Sequence, residues 1–313
     1  MPAHRQSNPP VARLAGVRKH YGDVEALAGL DLDLRRGELL ALLGANGAGK
    51  TTAVSILLGL LSPSGGTVEV FGGDPRHRAI RARCGAMLQI SGIAPTLTAR
   101  EHLDLFRSYY PNPAPLGDLV DVADLGDLLD RRADRMSGGQ LQRLLFALAL
   151  AGDPELIFLD EPSAGLDVES RRRLWAAVRR LTASGRTVLL TTHHLEEADA
   201  LADRVVVLQK GRAVAEGTPA ELRSRVAGRR IRCVTSLAPS ALSAIEGVES
   251  CEDRGAAMEI LTGDAEGVLR RLFELDPNLS GLEVGGAGLE RAFLTLTRDP
   301  AEDPGPNSEE RAA

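Results

Sequence analysis

Aromatic side chains are scarce, at 3% of 313 residues, so basic groups are not interleaved with aromatic ones as on a single-strand nucleic-acid surface. Positive charge is not in excess either. Against 43 Asp and Glu stand 37 Lys and Arg, a net charge of −6, and no nucleic-acid partner is expected. Three cysteines, Cys84, Cys233 and Cys251, lie far apart, which excludes CxxC or metal-type spacing and leaves reduced thiols. No apolar run approaches the roughly 18 residues of a membrane span. The opening MPAHRQSNPP lacks the apolar segment of a signal peptide. A soluble, cytosolic protein is expected.

What is present is an ordinary globular composition, 43% apolar, in a chain long enough for more than one domain. The strand-like alternation of residues 11–35, clearest in LDLDL, predicts a small β region. Three apolar runs, ELLALLG at 38–44, LIFLD at 156–160 and TVLLTT at 187–192, read as buried parallel strands separated by helices. VVVLQ and RAVAEG flank Lys210 and Gly211 as a terminal hairpin. Residues 90–135 interrupt the strand–helix alternation and read as an inserted helical subdomain, extending over about 90–150. The expected organisation is a disordered 1–10, a first α/β domain at 11–220, a basic linker at 221–230, a small α+β domain at 231–297 and a disordered acidic tail at 298–313. The α+β domain, which includes LERAFLTL at 289–296, holds no motif tied to chemistry.

GANGAGKT at 44–51 follows an apolar strand and precedes an apolar helix. In this G-x-x-x-x-G-K-[ST] pattern the backbone N–H groups of Gly44, Ala45, Asn46, Gly47, Ala48 and Gly49 curl around phosphates. Lys50 reaches the terminal ones and the Thr51 hydroxyl can ligate Mg²⁺. Asp160 closes a buried strand, where a carboxylate can support Mg²⁺. Glu161 follows at once as a candidate base for water, and His193 ends a third buried strand. All three strands would deliver groups at their carboxyl ends, where open α/β sheets bind ligands.

MSGGQLQRLLFALAL at 136–150 is a second anion-binding candidate. Ser137 and Gln140 have the spacing of a capping box before a helix-periodic apolar run. Gly138 and Gly139 in the first turn cost about 1 kcal/mol each relative to alanine, and bare N–H groups there suit a close approach to an anion. The basic group Arg171 to Arg173 is read as a solvated face, and so are Arg131, Arg132 and Arg135, with positioning of the SGGQ helix as the alternative for the latter three.

Over about 11–220 the order GANGAGKT, Gln89, SGGQ, LIFLDEP, SAGLD and TTHHLEEAD resembles the nucleotide-binding subunit of ATP-binding-cassette (ABC) transporters. The resemblance implies an α/β P-loop NTPase cassette, with a parallel-sheet core, a small antiparallel β region and an inserted helical subdomain. It implies ATP and Mg²⁺ as ligands, with Tyr21 stacked on adenine and Thr52 joining residues 44–51 in binding ATP. Thr51, Gln89 and Asp160 would stand at the metal. Glu161, His193 and Gln89 would be the catalytic groups. Ser137, Gly138, Gly139 and Gln140 would face the nucleotide of an opposing subunit. Ser163, Ala164, Gly165, Leu166 and Asp167 would form the loop crossing the dimer interface. His194 takes a variable position, and Met136 stands where leucine is usual, a volume-conserving swap.

With one P-loop and one SGGQ per chain, two cassettes head to tail are the economical solution. The implied partners are a second cassette, as a homodimer, and a separate transmembrane permease contacted near Gln89 and residues 90–115. The implied location is the cytoplasmic face of the membrane. The C-terminal region and QISGIAPTLTAREHLDLFRSYY resemble the drug- and antibiotic-exporting branch. A soluble ABC ATPase acting on nucleic acid or ribosomes is the alternative. Such proteins usually carry two cassettes or a long coiled coil, whereas only 110 residues separate Lys50 from Asp160.

Overall fold

A computed structural model describes residues 9–89, 92–224, 229–255, 257–286 and 293. Apart from Pro9 and Pro10, the two terminal segments expected to be disordered lie outside the described residues. So do 225–228 of the expected linker and, Phe293 aside, LERAFLTL. The chain forms two compact units, Met1–Thr218 and Pro219–Ala313.

The first unit opens with β1 (Ala12–Tyr21) and β2 (Val24–Leu34), followed by β3 (Leu39–Leu43), α1 (Lys50–Leu57), β4 (Gly65–Val70), α2 (Arg78–Arg81) and β5 (Cys84–Met87). Next come α3 (Ala99–Arg107), α4 (Leu116–Ala123) and α5 (Gly138–Ala149). It closes with β6 (Leu156–Asp160), α6 (Val168–Ala183), β7 (Thr187–Thr192), α7 (Leu195–Leu201), β8 (Arg204–Gln209) and β9 (Arg212–Gly217). β2, β1 and β4 make an antiparallel sheet in that order. The main sheet runs β5-β6-β7-β3-β8-β9, parallel throughout except for the β8–β9 hairpin.

Every residue of β3, β6 and β7 is buried, as a strand covered on both faces requires. Alternation divides their side chains between two cores. Leu40, Leu42, Phe158 and Leu189 join α1 and the antiparallel sheet on one face. Leu39, Ile157, Leu159, Val188 and Leu190 join helices α3 to α6 on the other. Asp160 pairs with Thr191 and Leu43 with Thr192, so the three strands end level. That alignment brings their carboxyl-terminal residues to one edge. Burial pushes the Cys84 thiol on β5 up to about 12, in keeping with an inert reduced cysteine.

The second unit comprises α8 (Pro219–Ser224), β10 (Arg229–Val234), α9 (Pro239–Ser243), β11 (Val248–Asp253), β12 (Met258–Thr262), α10 (Ala265–Leu275) and β13 (Ser280–Gly286). Its antiparallel sheet has the order β11-β12-β10-β13 around a core that includes Ile231, Ile260, Val268 and Leu272. The stretch read as a linker differs from its expectation, because α8 and the first two residues of β10 occupy part of it. α8 is less than two turns long and buries Leu222, too little for helical periodicity to register.

Candidate active site

α1 starts without a side-chain cap. Its N-cap, Gly49, sits at φ 105°, and a β-carbon there would lie 2.5 Å from the carbonyl oxygen of Ala26. Only glycine satisfies both the left-handed backbone and that close approach. Gly44 is equally confined, because its β-carbon would lie 2.6 Å from the Leu208 carbonyl oxygen. The turn therefore presents uncapped backbone N–H groups at a helix N-terminus.

The charged groups converge on this turn. Lys50 is buried, donates to the Gly44 carbonyl at 2.7 Å and lies 3.2 Å from Glu161 Oε1. Thr51 donates its hydroxyl to Asp160 Oδ2 at 2.9 Å, and Thr191 donates to Asp160 Oδ1. Glu161 Oε2 lies 2.6 Å from His193 Nδ1. Glu161 stands at φ 53° just past β6, with its N–H donating to the backbone and hydroxyl oxygens of Thr191. A left-handed non-glycine residue is held there by its surroundings, and the effect is to turn a buried carboxylate toward the P-loop. A cleft of about 600 Å³ opens over these groups, lined by Asn46, Lys50, Thr51, Thr52, Gln89, Glu161, Ala164 and His193 among others.

Tyr21 is not part of this lining. It is half exposed at the end of β1 with the Lys19 ammonium 5.3 Å from its ring centroid, while neighbouring Val24 and Glu25 do line the cleft. The SGGQ stretch, Ser137 to Gln140, lies outside the cleft as well. Ser137 caps α5 by accepting from the Gln140 N–H at 3.3 Å, and Gln140 Oε1 accepts from the Ser137 N–H at 3.0 Å, completing the expected box. Gly138 has open space where a side chain would be. Gly139 faces the 163–167 loop, since a β-carbon would lie 3.4 Å from Leu166. Of that loop, Ser163 is buried, Gly165 takes φ 73°, and Asp167 caps α6 by accepting from the Ser170 N–H at 2.8 Å. That backbone hydrogen bond, with one from the Ser170 hydroxyl, holds the Asp167 carboxyl below its usual range.

One role here was missed in the sequence. Thr191 holds Asp160 and Glu161 together, a role signalled only by two threonines ending an apolar run. Arg131 donates to Gln140 Oε1 at 3.1 Å, the kind of contact expected under the alternative in which these arginines position the SGGQ helix. Arg173 pairs with Asp124 and Glu169 on the surface, as a solvated arginine does.

A P-loop turn with an adjoining buried acid and a strand-end histidine defines a nucleotide-hydrolysing P-loop protein. Residues 27–164 match the ABC transporter family. The daunorubicin resistance ATP-binding protein DrrA3 of Streptomyces coeruleorubidus is 40% identical over 299 residues, covering 91% of this chain and 95% of that protein. The Nod factor export ATP-binding protein I of Paraburkholderia xenovorans is 37% identical over 297 residues, covering 92% and 97%. An ATP-binding subunit of an ABC transporter superposes with a TM-score of 0.63 at 27% identity, covering 69% of this chain and 92% of that one. A dimeric ATP-binding cassette in a post-hydrolysis state with ADP and Pi gives 0.61 at 26% identity, covering 66% and 98%. The chain belongs to the ABC transporter family. It is an ATP-binding, ATP-hydrolysing subunit on the branch of the drug-resistance and Nod-factor export proteins.

Proposed function

We propose that two copies of this chain, head to tail, form the ATP-driven motor of a small-molecule exporter whose separate permease crosses the membrane. Among the described residues no helix is long and apolar enough to cross a membrane. The proposed location is the cytoplasmic face, held there by the permease through Gln89 and the neighbouring helical subdomain. A small-molecule cargo is in keeping with relatives that serve daunorubicin resistance and Nod factor export. The acidic net charge favours this over a nucleic-acid partner.

One observation carries the reading. The groups that can hold and cleave ATP are gathered in one cleft, while the exposed start of α5 lies outside it. Phosphates entering the turn would meet the free N–H groups and draw Lys50 away from the Gly44 carbonyl and Glu161. Glu161 Oε1, buried and released from its 3.2 Å ion pair with Lys50, would then be free to accept a proton from water. His193, hydrogen-bonded to Oε2, would steady that carboxylate and face the γ-phosphate. Ser137, Gly138, Gly139 and Gln140 of the second copy would bring N–H donors to the same phosphate, and the 163–167 loops would meet across the interface.

Mg²⁺ fits the donors present. Thr51 and Asp160 place a hydroxyl and a carboxylate side by side, and Gln89 supplies an amide at the cleft. No cluster of three His, Cys, Asp or Glu suited to a metal exists among the described residues. Mg²⁺ ordinarily takes one or two protein oxygens and completes its shell with phosphates and water. When bound it would neutralise charge on the β- and γ-phosphates.

Glu161→Gln tests the assignment of the base. ATP binding and ATP-dependent dimerisation should persist while hydrolysis falls by about 10²–10⁴-fold, measured as phosphate release. Wild-type turnover in this variant would refute it.

A further inference from the structure

α7 begins two residues after His193 and carries a carboxylate into the protein. Its buried positions are Glu197, Ala198 and Leu201, and Glu197 is fully buried. Residues 197 and 201 share one helical face, and an apolar side chain is the ordinary occupant of a core-facing position. Glu197 Oε1 accepts the indole N–H of Trp175, on α6, at 3.0 Å. Oε2 is buried with no hydrogen-bond partner among the described residues. Taking a carboxyl group out of water and leaving it half satisfied is costly. Neither Glu197 nor Trp175 lines the nucleotide cleft, so the ATP-binding groups do not account for the pair.

The backbone around it shows what the pair can control. The N–H groups of Glu197 and Ala198 both donate to the His194 carbonyl, at 3.1 and 3.3 Å. The His194 N–H donates to the Thr192 hydroxyl at 2.9 Å. His193 is thus strung between the end of β7 and the first turn of α7, and from that junction its ring reaches Glu161 at 2.6 Å. A helix of seven residues has few side chains to fix its rotation. Ala198 and Leu201 pack without directional preference, whereas an indole–carboxyl hydrogen bond has a direction.

We infer that Glu197 is a positioning residue for ATP hydrolysis: bonded to Trp175, it fixes α7 on α6 and so holds His193 against Glu161. The inference rests on the reading of His193 as the group facing the γ-phosphate. Glu197 touches neither substrate nor Glu161, and its effect is on the geometry of the pair that does. A misplacement of about 1 Å at a reacting group can cost up to about 10²-fold in rate.

The test compares Glu197→Leu, Glu197→Gln, Trp175→Phe and His193→Ala in the full-length protein. Steady-state ATPase kinetics and thermal unfolding are measured for each. Glu197→Leu removes the acceptor and Trp175→Phe the donor. Each should lower kcat about tenfold while KM for ATP stays within about twofold, the split expected when only transition-state geometry is disturbed. Glu197→Gln keeps an oxygen for the indole and should retain near wild-type kcat. Trp175 is the only tryptophan in the chain, so its emission should shift in Glu197→Leu and stay in place in Glu197→Gln. Wild-type kcat in both Glu197→Leu and Trp175→Phe overturns the inference. So does a Glu197→Gln variant as slow as Glu197→Leu, or a fall in kcat that only tracks lost thermal stability. Should Glu197→Leu fail to fold, Trp175→Phe decides. His193→Ala separates the two claims. Turnover lost there but kept in Glu197→Leu and Trp175→Phe refutes the positioning role alone, whereas turnover kept in His193→Ala refutes the reading beneath it as well.

Discussion

Two glycine-rich turns open helices in this chain, and they are finished in opposite ways. α1 begins at Gly49 with no side-chain cap, beside a buried lysine and a buried glutamate. α5 begins at Ser137 with a complete capping box at the surface. The first turn leaves its N–H groups without a side-chain cap, beside the Lys50, Glu161 and His193 groups proposed to act on ATP. The second satisfies part of its own N-terminus and stands open at Gly138. An uncapped, enclosed helix start is a receptacle. A capped, exposed one is stable without ligand and is free to be presented to a receptacle on another molecule. The glycines serve different ends accordingly, close backbone packing at Gly44 and Gly49 and an unobstructed surface at Gly138.

The comparison can be broken at either turn. Lys50→Ala should have the largest effect on binding, about 10²-fold weaker ATP affinity by calorimetry, since it also leaves buried Glu161 without its cation. Gly139→Asp should reverse the pattern. ATP affinity of the single subunit should hold, while turnover falls about 10²-fold through loss of donors to the transition state and repulsion of the γ-phosphate. Equal loss of affinity in both variants would mean that the two turns serve one site within a chain.

Smaller effects sharpen the contrast. Thr191→Val removes the hydroxyl shared by Asp160 and the Glu161 N–H, and should cost about 1–3 kcal/mol in urea unfolding. Ser137→Ala should cost about 1 kcal/mol in the same measurement through loss of the cap, whereas α1 has no cap to lose. The smallest effect is expected at the opposite end of β6, where Glu155 is held down to about 2 by its hydrogen bond to Arg83 and a second to Arg36. A lowered carboxyl value stabilises the fold above the ordinary value of 4.5 and stops doing so as pH falls toward 2. Glu155→Gln should therefore melt slightly below the wild type at pH 7, with the gap closing between about pH 4.5 and 2. Glu155 is 42% exposed, which keeps the effect small.

The local parts of the site were legible in the sequence because each is written in contiguous residues. The P-loop is a strand, a glycine turn and a helix in sequence order, and the α5 cap is a Ser–Gln pair three residues apart. The buried strands announced themselves as short unbroken apolar runs. Contacts between elements were not legible. Thr191 holds Asp160 across 31 residues, and Trp175 meets Glu197 across 22; no local periodicity records either. The start of β10 was hidden for a different reason. Its first two residues, Arg229 and Arg230, are exposed and continue the basic run read as a linker, so nothing apolar marked them as strand ahead of buried Ile231.

That α5 of one copy completes the α1 site of another is tested most directly by mixing two damaged subunits. Lys50→Ala and Gly139→Asp, each also carrying Glu161→Gln to prevent turnover, are combined with ATP and followed by sedimentation. The mixture should form an ATP-dependent dimer, because the intact P-loop of the Gly139→Asp chain meets the intact SGGQ stretch of the Lys50→Ala chain, while either variant alone remains monomeric. A mixture that stays monomeric under conditions where Glu161→Gln alone dimerises would contradict the shared site.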